Sequence, residues 1–302
     1  MSVLAWIIIF SLLGGALSAI AASVMLLFGE SVRRLMIPHL VSFAIGTLLG
    51  AAFLALLPHA LQAVPVVGGH ALSYAHQMSF GLSDKNLLVT AAIDMHELAF
   101  MVLLGILGFF FLEKMVLWRH CHSDHCVVHT PLSIDMDGHK HQHSHQQQLQ
   151  SGQDKSRITL ILIGDGIHNL VDGVLIAAAF LIDIHLGVVT TIALAAHEIP
   201  QEVGDFAILL NSGMKRARAF FFNVLSSLTT VVGALIAYFS FASAAGALPY
   251  VLAIASSSFI YIAVADLIPG LHERTEFRET LKQFALILSG VFVIYLTHSS
   301  LH

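Results

Sequence analysis

The sequence predicts an all-α integral membrane protein with eight transmembrane helices. Of its 302 residues, 57% are hydrophobic and 11% are charged, whereas about 25% are charged in a typical soluble domain. Apolar runs of about 20 residues, which are long enough for a helix to cross a bilayer, recur eight times. The predicted spans are residues 3–28, 37–63, 92–112, 158–182, 187–210, 219–241, 248–268 and 281–299.

The basic residues predict the orientation of these spans. Thirteen of the fourteen Lys and Arg residues follow spans 1, 3, 5 or 7, and only Lys85 follows span 2. Because basic residues accumulate in cytoplasmic connections, we expect both termini outside. The first span is similar to a secretory signal, but no Lys or Arg precedes it, as such a signal requires. We therefore expect a multi-pass protein of a plasma membrane or a bacterial inner membrane.

One hydrophilic segment divides the chain into three parts. Spans 1 to 3 lie in residues 1–118 and spans 4 to 8 in residues 157–302. The segment between them, residues 119–156, has too few apolar residues for a core, which predicts a disordered cytosolic loop. Its His and Cys side chains predict metal binding, with a solubilising linker as the alternative. The candidate ligands are His120, Cys121, His122, His125, Cys126, His129, His139, His141, His143 and His145.

Spans 4 and 5 contain polar side chains at a depth where lipid disfavours them. In span 4, the spacing of three or four residues places four of them on one helix face. They are Asp165, His168, Asn169 and Asp172. Ionisable groups at this depth are costly, roughly 2.5 to 3.5 kcal/mol for Asp on insertion scales, and normally serve a function.

Span 5 contains a second polar stripe, which adjacent antiparallel helices would bring face to face with the first. It consists of His197, Glu198, Gln201, Glu202 and Asp205. Imidazole nitrogens with carboxylate oxygens suit zinc and neighbouring transition metals, whereas calcium and magnesium prefer oxygen ligands. The alternative, polar residues that only hydrogen-bond neighbouring helices, does not account for nine such residues in two matched stripes. We therefore predict an intramembrane metal site between helices 4 and 5.

The motifs of the two stripes resemble those of the ZIP (Zrt/Irt-like protein) family of divalent metal transporters. The branch of the family that they resemble has H-N-x-x-D-G and H-E-x-P-x-E motifs, which begin here at His168 and His197. Eight spans, outside termini and a His-rich loop after span 3 also fit this family. The resemblance therefore covers essentially the whole chain.

The resemblance implies a role for each residue of the motifs. The main transport site would consist of His168, Asp172, His197 and Gln201, with Asn169 and Glu198 beside them at a second or transit position. Relatives have His or Glu at the position of Gln201, which is a weaker neutral ligand. Some also have a bridging carboxylate in span 6, where this chain has only Ser, Leu and Thr from Ser226 to Thr230. We therefore expect one transit site of moderate affinity.

Other ionisable residues are candidates for the path of the cation. Those in the two stripes are Asp165, Glu202 and Asp205. Asp266 lies near the cytosolic end of span 7, and a carboxylate inside an apolar helix needs a partner. His59 follows Pro58 in span 2 and is either a pathway residue or an interfacial one.

The resemblance implies uptake of Zn2+ into the cytosol, with Fe2+, Mn2+ and Cd2+ as further candidate substrates. We expect divalent metal ions and the lipid bilayer as partners, no nucleic acid and no organic cofactor, and the sequence leaves a homodimer open. One alternative is an intramembrane zinc-dependent hydrolase, since His, Glu and Asp also build catalytic zinc sites. A zincin-like H-E-x-x-H motif would favour it, but Gln201 stands at the fifth position. A metal exporter of another family is a second alternative.

Overall fold

The computed structural model describes residues 2–25, 27–62, 95–120, 147–211, 213–241, 244–272 and 276–301. These residues contain eight long helices and no strand, which confirms the predicted all-α fold. Six of the helices are uninterrupted: α1 (Val3–Met25), α3 (Met95–His120), α4 (Gln147–Ile182), α5 (Ile184–Asn211), α6 (Arg216–Phe241) and α8 (Phe277–Leu301). The other two each change geometry: α2 (Glu30–Gly50, Ala51–Leu56, Leu57–Gln62) and α7 (Leu248–Tyr261, Ile262–Leu267, Ile268–Leu271).

The middle segments of α2 and α7 are π-helical, and each ends two residues before a proline. In α2 the Leu57 N–H donates to the Ala52 carbonyl, and in α7 the Ile268 N–H donates to the Ala263 carbonyl. Both bonds span five residues rather than four. Since a proline has no N–H to donate, the wider pattern lets the helix continue past it.

Most of these helices are suited to a bilayer. Seven of the described helices are long and apolar enough to cross a membrane. The helix missing from this set is α5, whose 28 residues include the polar stripe around His197, which lowers its mean hydropathy. The fold therefore matches the predicted multi-pass membrane protein, while the outside location of the termini stays a prediction.

Three helices extend beyond their apolar runs. α2 begins at Glu30, α3 continues to His120, and α4 begins at Gln147. Residues 147–156 are therefore helical, although we predicted them to be part of the disordered loop. The reason is that helix formation does not require apolar side chains, and the Gln, Leu and Lys residues of this segment have high helix propensity. Residues 121–146, with every candidate loop ligand except His120, lie outside the described residues, so the metal-binding loop stays a prediction.

Glycines bring α4 and α6 into backbone contact. A Cβ atom on Gly173 of α4 would overlap the Thr230 carbonyl oxygen, and one on Gly233 of α6 would overlap the Leu170 carbonyl oxygen. Small residues allow such close helix packing within membranes. α4 also packs against α5, while α1 packs against both α5 and α6. These four helices surround the polar stripes.

Candidate metal centre

A single residue connects the two helices that contain the polar stripes. α4 ends at Ile182 and α5 begins at Ile184, so only Asp183 lies between them. The Asp183 Oδ1 atom accepts hydrogen bonds from the backbone N–H groups of His185 (2.7 Å) and Leu186 (3.0 Å). Asp183 therefore caps the first turn of α5, and the two helices form a tight antiparallel hairpin.

The hairpin aligns the two stripes in depth. His168 lies fifteen residues before Asp183, and His197 lies fourteen residues after it. At a rise of about 1.5 Å per residue, both histidines lie roughly 21 to 23 Å from the turn. This is also close to the midpoint of α5. The two histidines consequently meet at one level, deep inside the protein.

Four side chains converge at this level. The Nε2 atoms of His168 and His197 are 3.3 Å apart. The Glu198 Oε1 atom lies 3.4 Å from the former and 3.6 Å from the latter. The corresponding distances of the Asp172 Oδ2 atom are 3.8 and 3.9 Å. All four donor atoms lie within 4.8 Å of one another, and we call these residues the central cluster.

The donor separations suit a transition metal. Ligand nitrogens roughly 2.0 to 2.1 Å from a tetrahedral zinc ion are about 3.3 Å from each other, and carboxylate oxygens lie at similar distances. The nitrogen pair and both Glu198 contacts, at 3.3 to 3.6 Å, are close to this separation. Asp172 needs only a small inward shift to reach it. Two imidazoles with two carboxylates also disfavour calcium and magnesium.

The side chains of the central cluster are mostly buried, and their carboxylate oxygens lack hydrogen-bond donors among the described residues that would compensate for the burial. The side chains of His197, Asp172 and Glu198 are only 1%, 6% and 6% exposed, whereas that of His168 is 28% exposed. Asp172 Oδ2 and both Glu198 carboxylate oxygens accept no hydrogen bond from the described residues. Buried oxygens without partners are costly. A cation at the cluster would interact with these oxygens. The cluster is accessible at His168, its only partly exposed side chain.

Two predicted ligands lie beside the cluster. Asn169 donates from Nδ2 to Asp165 Oδ1 (3.0 Å), and its Oδ1 accepts from the Thr230 hydroxyl (3.0 Å). Gln201 is half-buried, and no hydrogen bond among the described residues joins it to the cluster. The structure thus places Glu198, rather than Gln201, next to both histidines. Asn169 and Gln201 remain predicted ligands.

The predicted pathway residues fall into two groups. Asp165 and Glu202 are buried and Asp205 is half-buried, all on the hairpin beyond the cluster. Asp266 is exposed in the π-helical segment of α7. His59 is buried near the end of α2, with its ring centroid 5.4 Å from that of His298. Asp266 and His59 therefore do not belong to the central cluster.

Helix α6 contributes polar contacts that our sequence interpretation missed. Besides the Thr230 contact, the Ser227 hydroxyl donates to Glu202 Oε1 (3.2 Å) and the Thr229 hydroxyl to the Gly166 carbonyl (2.7 Å). Span 6 has no bridging carboxylate, and its hydroxyl groups make these contacts instead. The run of hydroxyl residues from Ser226 to Thr230 inside an apolar span was the available signal.

A small cavity adjoins the cluster where α1 meets the hairpin. Its volume of ≈ 10 Å³ is about that needed by one water molecule. Its polar lining comes from Asn169, Asp172, Glu198 and Thr230, and Gly14 and Gly15 of α1 also line it. Water in this cavity would lie within reach of a bound cation.

The two halves of the hairpin differ in character. Between the cluster and Asp183, the helices bury apolar side chains, among them Ile176, Phe180 and Leu194. The Phe180 ring also stacks with Trp6 of α1 (ring centroids 6.5 Å apart). The opposite half contains Asp165, Glu202 and Asp205. Within the described hairpin, the carboxylates nearest to the cluster thus lie on the side away from the Asp183 turn.

The fold and the cluster together define a polytopic membrane protein with a buried His, Asp and Glu cluster that fits an intramembrane metal site. The comparison with known families specifies it further: the family model described as "ZIP Zinc transporter" matches residues 2–298. The chain therefore belongs to the ZIP zinc transporter family, which confirms the family inferred from the two motifs. This is a family of transporters rather than enzymes, as we expected.

Individual relatives cover the chain to different extents. Zinc transporter ZIP13 of Gallus gallus is 31% identical over 290 residues, which are 87% of this chain and 74% of the relative. Zinc transporter zipt-7.2 of Caenorhabditis elegans is 39% identical over 142 residues, 45% of this chain and 30% of the relative. Metal cation symporter ZIP14 of Mus musculus is 39% identical over 114 residues, 38% of this chain. The matches to the latter two span less than a third of each relative, 30% and 23%.

Proposed function

We propose that this protein transports divalent transition-metal ions, Zn2+ foremost, across the membrane through the central cluster. The observation that supports this most directly is the pair of histidine Nε2 atoms 3.3 Å apart, with two buried carboxylates beside them. Asn169 and Gln201 act as additional ligands when the ion enters or leaves. Gln201, as a neutral ligand, keeps the affinity moderate.

The direction of transport is uptake into the cytosol. The polar half of the hairpin extends from the cluster towards the C-terminal end of α5, which is followed by exposed Lys215, Arg216 and Arg218. Basic residues of this kind mark cytoplasmic connections. The route through Asp165, Glu202 and Asp205 consequently leads towards the cytosol, and both termini lie outside.

The cluster accepts several metals. Mixed nitrogen and oxygen ligands bind Fe2+, Mn2+ and Cd2+ as well as Zn2+, and selectivity depends on geometry and availability. The relatives named zinc transporters and metal cation symporter support the same substrate class. The hydrolase alternative has no support from the family, and we do not pursue it.

Uptake by the purified full-length protein in proteoliposomes tests this function. The His168→Ala and His197→Ala variants should lose Zn2+ uptake, because each removes one of the two nitrogen donors. His185→Ala, at the other end of α5, is the matched control and should transport normally. Unchanged uptake by both cluster variants would refute the assignment.

A further inference from the structure

We propose that Glu202, Asp165 and Ser227 form a second cation site with only oxygen ligands, between the central cluster and the cytosolic end of the hairpin. The proposal of this oxygen site rests on the proposed function, because the transported ion would pass from the central cluster to the oxygen site. It differs from the cluster in its ligands, its depth and the helices that form it.

The depth of the oxygen site follows from the hairpin. Asp165 lies eighteen residues before Asp183 and Glu202 lies nineteen after it, so the two residues lie at nearly one level of the hairpin. That level is three to five residues beyond the two histidines, or about 5 to 7 Å along the helices. An ion leaving the cluster on the polar side therefore meets this pair first.

Glu202 lies at the junction of three helices. It is 0% exposed, and its Oε1 atom accepts a hydrogen bond from Ser227 of α6 (3.2 Å). Across the hairpin it interacts electrostatically with Asp165 of α4, and along its own helix with Glu198 and Asp205. Several buried carboxylates so close together repel one another, which a bound cation would relieve.

A buried oxygen without a partner points to a cation. The second carboxylate oxygen of Glu202 accepts no hydrogen bond from the described residues, although Glu202 is 0% exposed. Because buried polar atoms in proteins are nearly always paired, this oxygen is left for a bound cation.

The chemistry of the oxygen site favours release. A zinc ion that leaves two imidazoles for carboxylates and a hydroxyl loses its nitrogen ligands and binds more weakly, whereas Mn2+ accepts oxygen ligands readily. Stepping from the cluster to the oxygen site would thus lower the affinity for Zn2+ before the ion reaches the cytosol. We therefore also expect Mn2+ to bind at the oxygen site without the help of either histidine of the central cluster.

The test is Mn2+ binding to the purified full-length protein in detergent. Electron paramagnetic resonance measures the free Mn2+ that remains, and so gives the number of bound ions. The wild type should bind two Mn2+ ions. Glu202→Gln and Asp165→Asn should each abolish Mn2+ binding at the oxygen site and keep binding at the central cluster. His197→Ala should abolish binding at the central cluster and keep binding at the oxygen site. Glu279→Gln, which changes a carboxylate paired with Lys282 on α8, should keep both.

The outcomes separate the two proposals. If Glu202→Gln and Asp165→Asn both retain two events, or if they remove the same event as His197→Ala, the oxygen site does not exist as a distinct site. Using two variants on different helices guards against misfolding of one of them, which gel filtration would reveal. The Mn2+ assay counts bound ions in detergent and does not measure transport. Failure of the proposed transport function would therefore appear only in the proteoliposome assay.

Discussion

The imidazole rings of His168 and His197 stand nearly perpendicular, at 87°, with their Nε2 atoms 3.3 Å apart across the α4–α5 hairpin. The two residues are 29 positions apart in the chain, and the turn at Asp183 lies midway between them. Their alignment therefore results from the position of a single connecting residue.

The first prediction ranks two neighbouring residues of α5. Glu198 Oε1 is 3.4 and 3.6 Å from the two histidine nitrogens, whereas Gln201 is not hydrogen-bonded to the cluster. We expect Glu198→Gln to reduce Zn2+ uptake by more than the roughly 10- to 100-fold that loss of an outer-shell partner costs. Gln201→Ala should have the smaller effect. Initial rates in proteoliposomes measure both, and the reverse order would restore Gln201 as the main ligand.

The second prediction concerns the support that α6 gives to Asn169. Thr230→Val keeps the side-chain shape but removes the hydroxyl that donates to Asn169 Oδ1. Leaving such an acceptor unpaired costs about 1 to 3 kcal/mol, which we expect as an approximately 5- to 150-fold higher KM for Zn2+. The matched control is Thr190→Val, since Thr190 is buried on α5 but bonds only the Leu186 carbonyl. Equal KM values in the two variants would contradict the role of Thr230.

The third prediction concerns the contact between α4 and α6. In Gly173→Ala the new methyl group would overlap the Thr230 carbonyl oxygen, and overpacking of this kind costs about 1 to 3 kcal/mol. We expect a lower melting temperature in detergent. Gly164→Ala serves as the control because no atom lies within 4 Å of its added methyl group. Similar melting temperatures for both variants would mean that the helices separate easily.

The fourth prediction concerns the His-rich loop. Replacing residues 121–145 with a Gly/Ser linker of equal length should leave most of the transport rate, because the central cluster lies on the α4–α5 hairpin. We expect the replacement to alter instead the response to low cytosolic metal, since the loop ligands would capture ions at the exit. Uptake at several Zn2+ concentrations measures both. Complete loss of transport would show that the loop is part of the pathway.

The sequence was sufficient to predict the helices, because each contains a largely apolar run of about 20 residues, as crossing the bilayer requires. Their ends were less predictable. Glu30 and Gln147 begin helices well outside the apolar runs, because helix propensity does not require apolar side chains. Apolar length marks the part of a helix that lies in lipid, and not the whole helix.

The central cluster was predictable only in part. Helical spacing placed His168, Asp172 and His197 on facing stripes, and the structure brings these three together. The choice between Glu198 and Gln201 depends on how α5 is rotated about its axis, because the two residues point about 60° apart on the helix. Packing against α1, α2 and α4 sets that rotation. The contribution of Thr230 also depends on tertiary packing, through the glycine contacts between α4 and α6.

The one-residue turn at Asp183 also restricts how the protein can expose its cargo to either side. Because only one residue connects α4 and α5, the two helices stay together at that end, and we expect the four side chains of the central cluster to move as one unit. Access from each face of the membrane would then come from rearrangement between this hairpin and its neighbours α1, α2 and α6. In mechanical terms, the geometry of the cluster would stay constant while the packing around the hairpin changes.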